Sequence, residues 1–434
     1  MNFNQTRQRQ ARAPRFSGSR YVAAIMGIVM LLAACNTDRL LNVNVPNRVP
    51  ASTLNDPKQS ALMVNSTIGD FECALGSYVV VEGLISDELS DAQLGAAAWP
   101  YDRRDANTQP SGIYGTNGCD NNQSPGIYTP LSTARWSADN ALTNLQGWTD
   151  AQVPNRSSLI AQSATYSGFD YALLGMSMCS AAFDLSAPVD QKAMFALAEK
   201  RFTTAIDAAT TASLPSMLNA SLVGRARVRL FQGNTAGAIA DAQKVPSTFR
   251  LVASTGSDDN HRYNRVYAVT AQFGFYTVEA SSRALTTEGV ADPRAEADKM
   301  ATRPADSKSV IYAPAKYASD ASPMPVARYA EAQLIIAEAQ GGANAVTIVN
   351  GLRASAGVPS YTGPTDAASI TTLIVNERQR ELFLEGFRNY DIQRFSLPLN
   401  PAVGVAFPLK GGTYGDTKCL PLPDIERFNN PNAG

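Results

Sequence analysis

The side chains that could do chemistry are few in kind. There is one histidine, His261, in the polar stretch Ser257–Arg262. Zinc centres of the HExxH type and multi-histidine metal sites need at least two imidazoles, so they are excluded. A Ser-His-Asp or Cys-His system would have to use His261, whose polar surroundings read as a solvated loop. Acids and arginines gather in the last third, as Arg328, Glu331 and Glu338, then Arg378, Glu381, Glu385, Arg388, Asp391 and Arg394. Two carboxylates could serve as general acid and base in glycoside hydrolysis. Opposite charges at i,i+3 and i,i+4 steps, with Leu382, Phe383 and Phe387 as apolar anchors, read instead as a structural ion-pair network along one helix face. Glu331 and Glu338 are its candidate partners on a neighbouring helix.

Aromatic rings offer a different chemistry. Rings with planar hydrogen-bonding neighbours bind sugars, giving large rigid contact at low entropy cost. Trp99-Pro100-Tyr101-Asp102-Arg103-Arg104 stands in a proline-rich stretch, with Tyr78 and Tyr114 nearby. Tyr78, Trp99, Tyr101, Arg103 and Tyr114 are therefore the candidate ligand-binding residues. Phe273, Phe275 and Tyr276 read as the core of a strand.

The first residues bear on compartment. Arg7, Arg9, Arg12, Arg15 and Arg20 stand without an acid among residues 1–20, and the apolar run Tyr21–Ala34 follows. That run is shorter than the ~20 residues needed to span a bilayer. A basic start, a short apolar segment and then small residues read as an export signal. Leu32-Ala33-Ala34-Cys35 resembles the bacterial lipobox, which implies cleavage before Cys35 and acylation of its thiol. More than one acyl chain would anchor the chain stably. Asn36 follows, and by resemblance to lipoprotein sorting it does not favour inner-membrane retention. Cleavage would leave 32 basic against 38 acidic residues, a net −6. No clustered basic excess points to nucleic acid.

An exported chain permits disulfides. Four cysteines remain after Cys35, and they allow three pairings. Cys73 and Cys119 both lie in the irregular N-terminal half, which makes their bridge a hypothesis. Cys179 sits in an apolar helical run and reads as a buried thiol.

Several elements must position these groups. Residues 35–53 form a tether after the 1–34 signal. A first helix is expected over 54–69. Residues 86–130 carry four prolines and no helical period, a long loop insert of the kind that is usually functional. Helices are then expected over Leu131–Trp148, Ser157–Leu185 and Lys192–Thr210. A helix pair turns at Gly233-Asn234, with Leu222, Ala226 and Leu230 facing Ala238, Ala242 and Val245. A second pair, Tyr329–Gln340 and Ala343–Ala354, turns at Gly341-Gly342. Short strands are expected at Tyr263–Thr270 and Phe273–Val278, one long helix at Ser369–Phe395, and no regular helix beyond Pro398. Helix pairs with small residues at their contacts are the tetratricopeptide arrangement. The fold class is mainly α: tetratricopeptide-like pairs forming a scaffold, with loop-rich inserts and a few short strands. The N-terminal region spans 54–260 and the C-terminal region 261–434.

An ordered series of motifs carries a resemblance. Arg328–Ala339, Ile348–Gly357, Glu377–Arg394 and Leu420–Glu426 resemble the C-terminal signature of the SusD/RagB family, and Asp292-Pro293-Arg294 is similar to a short family element. Ser86-Asp87-Glu88 and Arg135–Leu145 fit more loosely. The resemblance implies an outer-membrane, lipid-anchored, non-catalytic subunit without a cofactor. Such a subunit captures a glycan or other nutrient and passes it to a SusC-like TonB-dependent transporter. A helical-repeat scaffold for protein partners and a surface glycoside hydrolase are the rival readings.

Overall fold

The computed structural model describes residues 56–94, 99–106, 112–257 and 261–433. The signal segment, Cys35 and the tether lie outside them. In chain order the helices are α1 (Ser60–Ile85), α2 (Trp99–Asp102), α3 (Tyr128–Gly147), α4 (Arg156–Ser177), α5 (Gln191–Thr211), α6 (Pro215–Phe231) and α7 (Thr235–Ala242). They continue as α8 (Arg265–Tyr267), α9 (Tyr329–Gln340), α10 (Gly342–Ala356), α11 (Ala367–Glu381), α12 (Arg388–Arg394) and α13 (Asp424–Asn429). The fold is mainly α.

The strands are short and pair two by two. β1 (Leu89–Asp91) runs antiparallel to β5 (Tyr276–Val278), and β2 (Ser180–Ala181) to β3 (Val189–Asp190). β4 (Arg250–Ala253) pairs with β10 (Met324–Arg328), β6 (Thr286–Thr287) with β7 (Val290–Ala291), and β8 (Ala297–Lys299) with β9 (Tyr312–Pro314).

The expected first helix runs on to Ile85, because every residue from Phe71 to Ile85 is buried. A helix buried on all sides belongs at the centre of the molecule. Helices α4, α5 and α6 pack closely because glycines face phenylalanines. A Cβ at Gly168 would lie 2.6 Å from the Phe202 ring, and one at Gly224 2.3 Å from it. Side-chain caps fix the starts: Asp190 accepts from Ala193 N at 2.8 Å, and Asp366 from Ala368 N and Ser369 N at 3.1 Å each.

Several expectations need correction. The Tyr263–Thr270 segment is α8 followed by a π-helical turn, Ala268–Gln272, and not a strand. Asn264 decides this: its side chain caps Tyr267 N at 3.0 Å and is itself held by Ser322 O at 2.9 Å. The Ser157–Leu185 helix stops at Ser177, and the tail beyond Pro398 holds the short α13. The expected Ser369–Phe395 helix breaks between α11 and α12. Leu384 (φ 50°) and Gly386 (φ 81°) adopt the left-handed region there. A Cβ at Gly386 would lie 2.2 Å from the Tyr78 ring, and Tyr78 Oη donates to Gly386 O at 2.7 Å.

The break changes the ion pairs. They reach across elements instead of running along one face, apart from Asp391–Arg394 at 2.9 Å. Arg378 bonds Asp391 across the break at 2.8 Å, and Arg388 bonds Asp87 at 2.7 Å. Arg328 bridges Glu381 at 2.5 Å and Glu385 at 3.0 Å, while Arg394 grips Glu338. Glu331 does not join the last helices; it pairs with Arg227 of α6 at 2.6 Å, both buried. Arg294 joins Asp292, Glu377 and Glu381.

Disulfides join Cys73 to Cys119 and Cys179 to Cys419. Cys179 is thus not a free thiol. The C-terminal tail crosses the end of α4, where Leu420 N donates to Ser177 O and Cys179 N to Leu420 O, each at 2.8 Å. That brings Cys419 within bonding reach.

Candidate ligand-binding face

Three of the aromatics read from the sequence as ligand contacts are interior. Tyr78, Tyr101 and Tyr114 are each 0% exposed. Tyr101 Oη donates to Pro125 O at 2.8 Å, so it packs the insert onto its own loop. Burial pushes the Tyr78 and Tyr101 phenols well above their ordinary range. Buried rings cannot offer a face to a ligand: Tyr101 holds the insert, and Tyr78 holds the break between α11 and α12. Arg103 is half-buried, donates to Lys410 O at 3.2 Å, and lies with its guanidinium 4.8 Å from the Phe407 ring. It ties the insert to the 401–415 loop. Trp99 begins α2, but its side chain lies outside the described residues.

The loops that meet here build a different aromatic surface. The π-helical turn ends at Phe273-Gly274-Phe275. Gly274 has φ 63°, and a Cβ there would lie 2.6 Å from Arg303 O, so glycine is required. The bend places the Phe273 and Phe275 rings in a stack, with centroids 5.5 Å apart and planes at 23°. Tyr276 is core at 0% exposure, Phe275 is half-buried against the core, and Phe273 is 38% exposed. The strand-core expectation therefore fails for Phe273, because the glycine reverses the chain before β5 begins.

Phe273 borders a cleft of about 230 Å³ lined also by Asp120, Asn122, Tyr263, Gln272 and Asp320. Asn122 Oδ1 accepts from Tyr263 Oη and from Arg265 Nη1, each at 2.5 Å. Those bonds orient the amide and leave its Nδ2 hydrogens without a protein partner among the described residues. Arg265 is 1% exposed and lies under the Tyr263 ring at 4.7 Å, which holds that ring in place. The cleft therefore joins an open ring face to an oriented amide and phenol, with two carboxylates at its edge. This set recognises a ring that is apolar on one face and rich in hydroxyls at its edge. Asp120-Asn121-Asn122-Gln123, a polar run inside the insert, and the glycine between two phenylalanines are the sequence signals that could have marked it.

The carboxylates most shifted in pKa lie elsewhere. Burial pushes Glu82, Glu88 and Asp102 each up to about 8. They are no more than 4% exposed. A proton donor that no substrate reaches performs no acid catalysis. His261 is exposed, with Nδ1 3.6 Å from Cys73 Sγ. Among the described residues no helix is long and apolar enough to cross a membrane.

Helix pairs that carry a loop-built cleft define a helical scaffold with an open aromatic and polar face. Residues 253–420 match the SusD family model. Solved structures share the fold over most of the chain. A SusD superfamily protein from Parabacteroides distasonis is 13% identical, with a TM-score of 0.65 over 87% of this chain and 98% of its own. A laminarin-binding SusD-like protein is 16% identical, with a TM-score of 0.59 over 86% of this chain and 98% of its own. A surface glycan-binding protein A from Bacteroides fluxus is 15% identical, with a TM-score of 0.62 over 85% and 96%. No curated protein matches the chain. The chain is SusD-like in sequence over residues 253–420 and SusD-like in fold over most of its length.

Proposed function

We propose that this chain is a non-catalytic, glycan-binding lipoprotein of the outer membrane. It is anchored through Cys35, holds its ligand on the Phe273 face, and delivers it to a SusC-like TonB-dependent transporter. The observation that carries this reading is the stacked Phe273–Phe275 pair beside a cleft of oriented polar groups. The family match and the glycan-binding relatives of the same fold support it. The lipobox-like Leu32–Cys35 supports the anchor, which would act with an export signal and not with a membrane-spanning helix.

The ring contributes through its exposed face, and stacking of this kind adds about 1 kcal/mol, or roughly a factor of five to ten in affinity, beyond area burial. Calorimetric titration with a panel of neutral oligosaccharides, laminarin fragments included, tests this. The wild type should bind at least one member, and Phe273→Ala should weaken that binding about fivefold or more with an unchanged melting temperature. Equal affinity in the two proteins would remove Phe273 from the site.

A further inference from the structure

A second and larger concavity, about 980 Å³, opens between the start of β4, the first turn of α9 and one face of α10. It shares no residue with the Phe273 cleft. Its volume lies within the range of small-molecule sites.

Its floor is charged but internally neutralised. Arg328 lies between Glu381 and Glu385, and Lys316 bonds Glu385 at 2.7 Å. The walls differ. Arg250 is exposed and makes no ion pair among the described residues. The Tyr329 hydroxyl and the Gln333 amide are half-buried, and neither has a protein hydrogen-bond partner among the described residues. Phe249, Pro323 and Pro325 give apolar surface beside them. Arg294, Lys316 and Arg328 are met by Asp292, Glu377, Glu381 and Glu385, so Arg250 is the lining cation left to a ligand.

The backbone at Phe249 is already satisfied. Phe249 N donates to Pro246 O at 2.9 Å, and Phe249 O accepts from Tyr329 N at 3.0 Å. Pro323 and Pro325 have no N–H to give. An extended peptide is held largely by main-chain hydrogen bonds, and the Phe249, Pro323 and Pro325 wall offers it none from its N–H groups. A hydroxyl-rich ring with a carboxylate finds an amide, a phenol, a guanidinium and an apolar wall. We propose that this groove is a second binding site for an acidic oligosaccharide, a short hexuronate chain, with its carboxylate on Arg250 and ring hydroxyls on Gln333 and Tyr329.

The test is calorimetric titration of the full chain in detergent with trigalacturonate, maltotriose and triglutamate. Two variants address the groove. Arg250→Ala removes the cation. Gly351→Trp fills the space from α10, where a Cβ meets no atom within 4 Å. Circular dichroism confirms that each is folded. Trigalacturonate should bind saturably and more tightly than either other probe. Each variant should weaken it about tenfold or more, as loss of a charge-assisted contact or of the space would. Absence of saturable trigalacturonate binding overturns the proposal, as does equal affinity for triglutamate or unchanged affinity in Gly351→Trp. Binding that survives both groove variants and disappears in Phe273→Ala also overturns it, and leaves the Phe273 face as the site.

Discussion

Replacing Glu385 by alanine is the most direct probe of how the last helices are held. Its side chain is 4% exposed. It accepts from Lys316 Nζ at 2.7 Å and from Arg328 Nη2 at 3.0 Å and Nε at 3.2 Å. Removing one member of a fully buried pair costs about 3–5 kcal/mol, because the other charge is stranded. Here both cations keep a second acceptor: Lys316 has Phe383 O at 2.7 Å, and Arg328 has Glu381 at 2.5 Å. Both are also partly open to water. The expected loss is therefore about 2–3 kcal/mol, which lowers the melting temperature of a body this large by roughly 3–5 °C. The pH dependence carries a further check. Burial alone would raise the Glu385 carboxyl, but Arg328 and Lys316 outweigh it and hold the group below its ordinary value. A depressed carboxyl contributes stability above its unfolded pKa and loses it as pH falls through the folded one. Urea unfolding followed by circular dichroism should thus show the full deficit of Glu385→Ala at pH 6–7 and a shrinking deficit in acid, below roughly pH 4. An unchanged midpoint at neutral pH, or a deficit that grows on acidification, would refute the ion-pair account.

Two further outcomes follow from the interior. Gly224→Ala should destabilise by about 1–2 kcal/mol in urea titration, because overpacking against the buried Phe202 ring outweighs the helix propensity gained. Gly69→Ala, where a Cβ meets nothing within 4 Å, should instead be neutral or stabilising, and the same sign for both would discredit the close-packing argument. Stability should also decline from about pH 5 to pH 8, since native Glu82, Glu88 and Asp102 keep protons that the unfolded chain sheds, at up to ~1.4 kcal/mol per pH unit for each group. The depressed carboxyls, among them Asp292 at about 2, act only at lower pH, so midpoints that rise between pH 5 and pH 8 would contradict the burial of those three acids as neutral groups.

The scaffold was legible because its signals are local. The Gly233-Asn234 and Gly341-Gly342 turns and the small residues at Ala226, Ala238 and Ala242 each name an element within a few residues. The failures came where a distant contact overrode the local pattern. The Val266–Thr270 run has strand-forming residues, yet Asn264, fixed from Ser322, starts a helical turn there. The charges of residues 378–394 keep a helical period, yet Gly386 gives way to Tyr78 of α1, and the helix breaks. Neither Tyr78 nor Ser322 is near in sequence, so neither correction could be read from the segment alone.

The candidate ligand face was harder for a related reason. The arginines of residues 377–394 pair with acids, Arg378 with Asp391 and Arg394 with Glu338, so residue type betrays role and that motif stands out in one sequence. An aromatic ring carries no such mark. Tyr101 and Phe273 are both aromatic residues beside loops, yet one is 0% and the other 38% exposed. The difference lies in what closes over each ring. Tyr101 is capped by the carbonyl of Pro125, whereas Phe273 is turned outward by a glycine pressed against Arg303. A ring becomes a binding platform when the backbone beneath it cannot turn it inward. At Phe273 that constraint is Gly274, so introducing a Cβ at position 274 should disturb the face more than any conservative change to the ring itself.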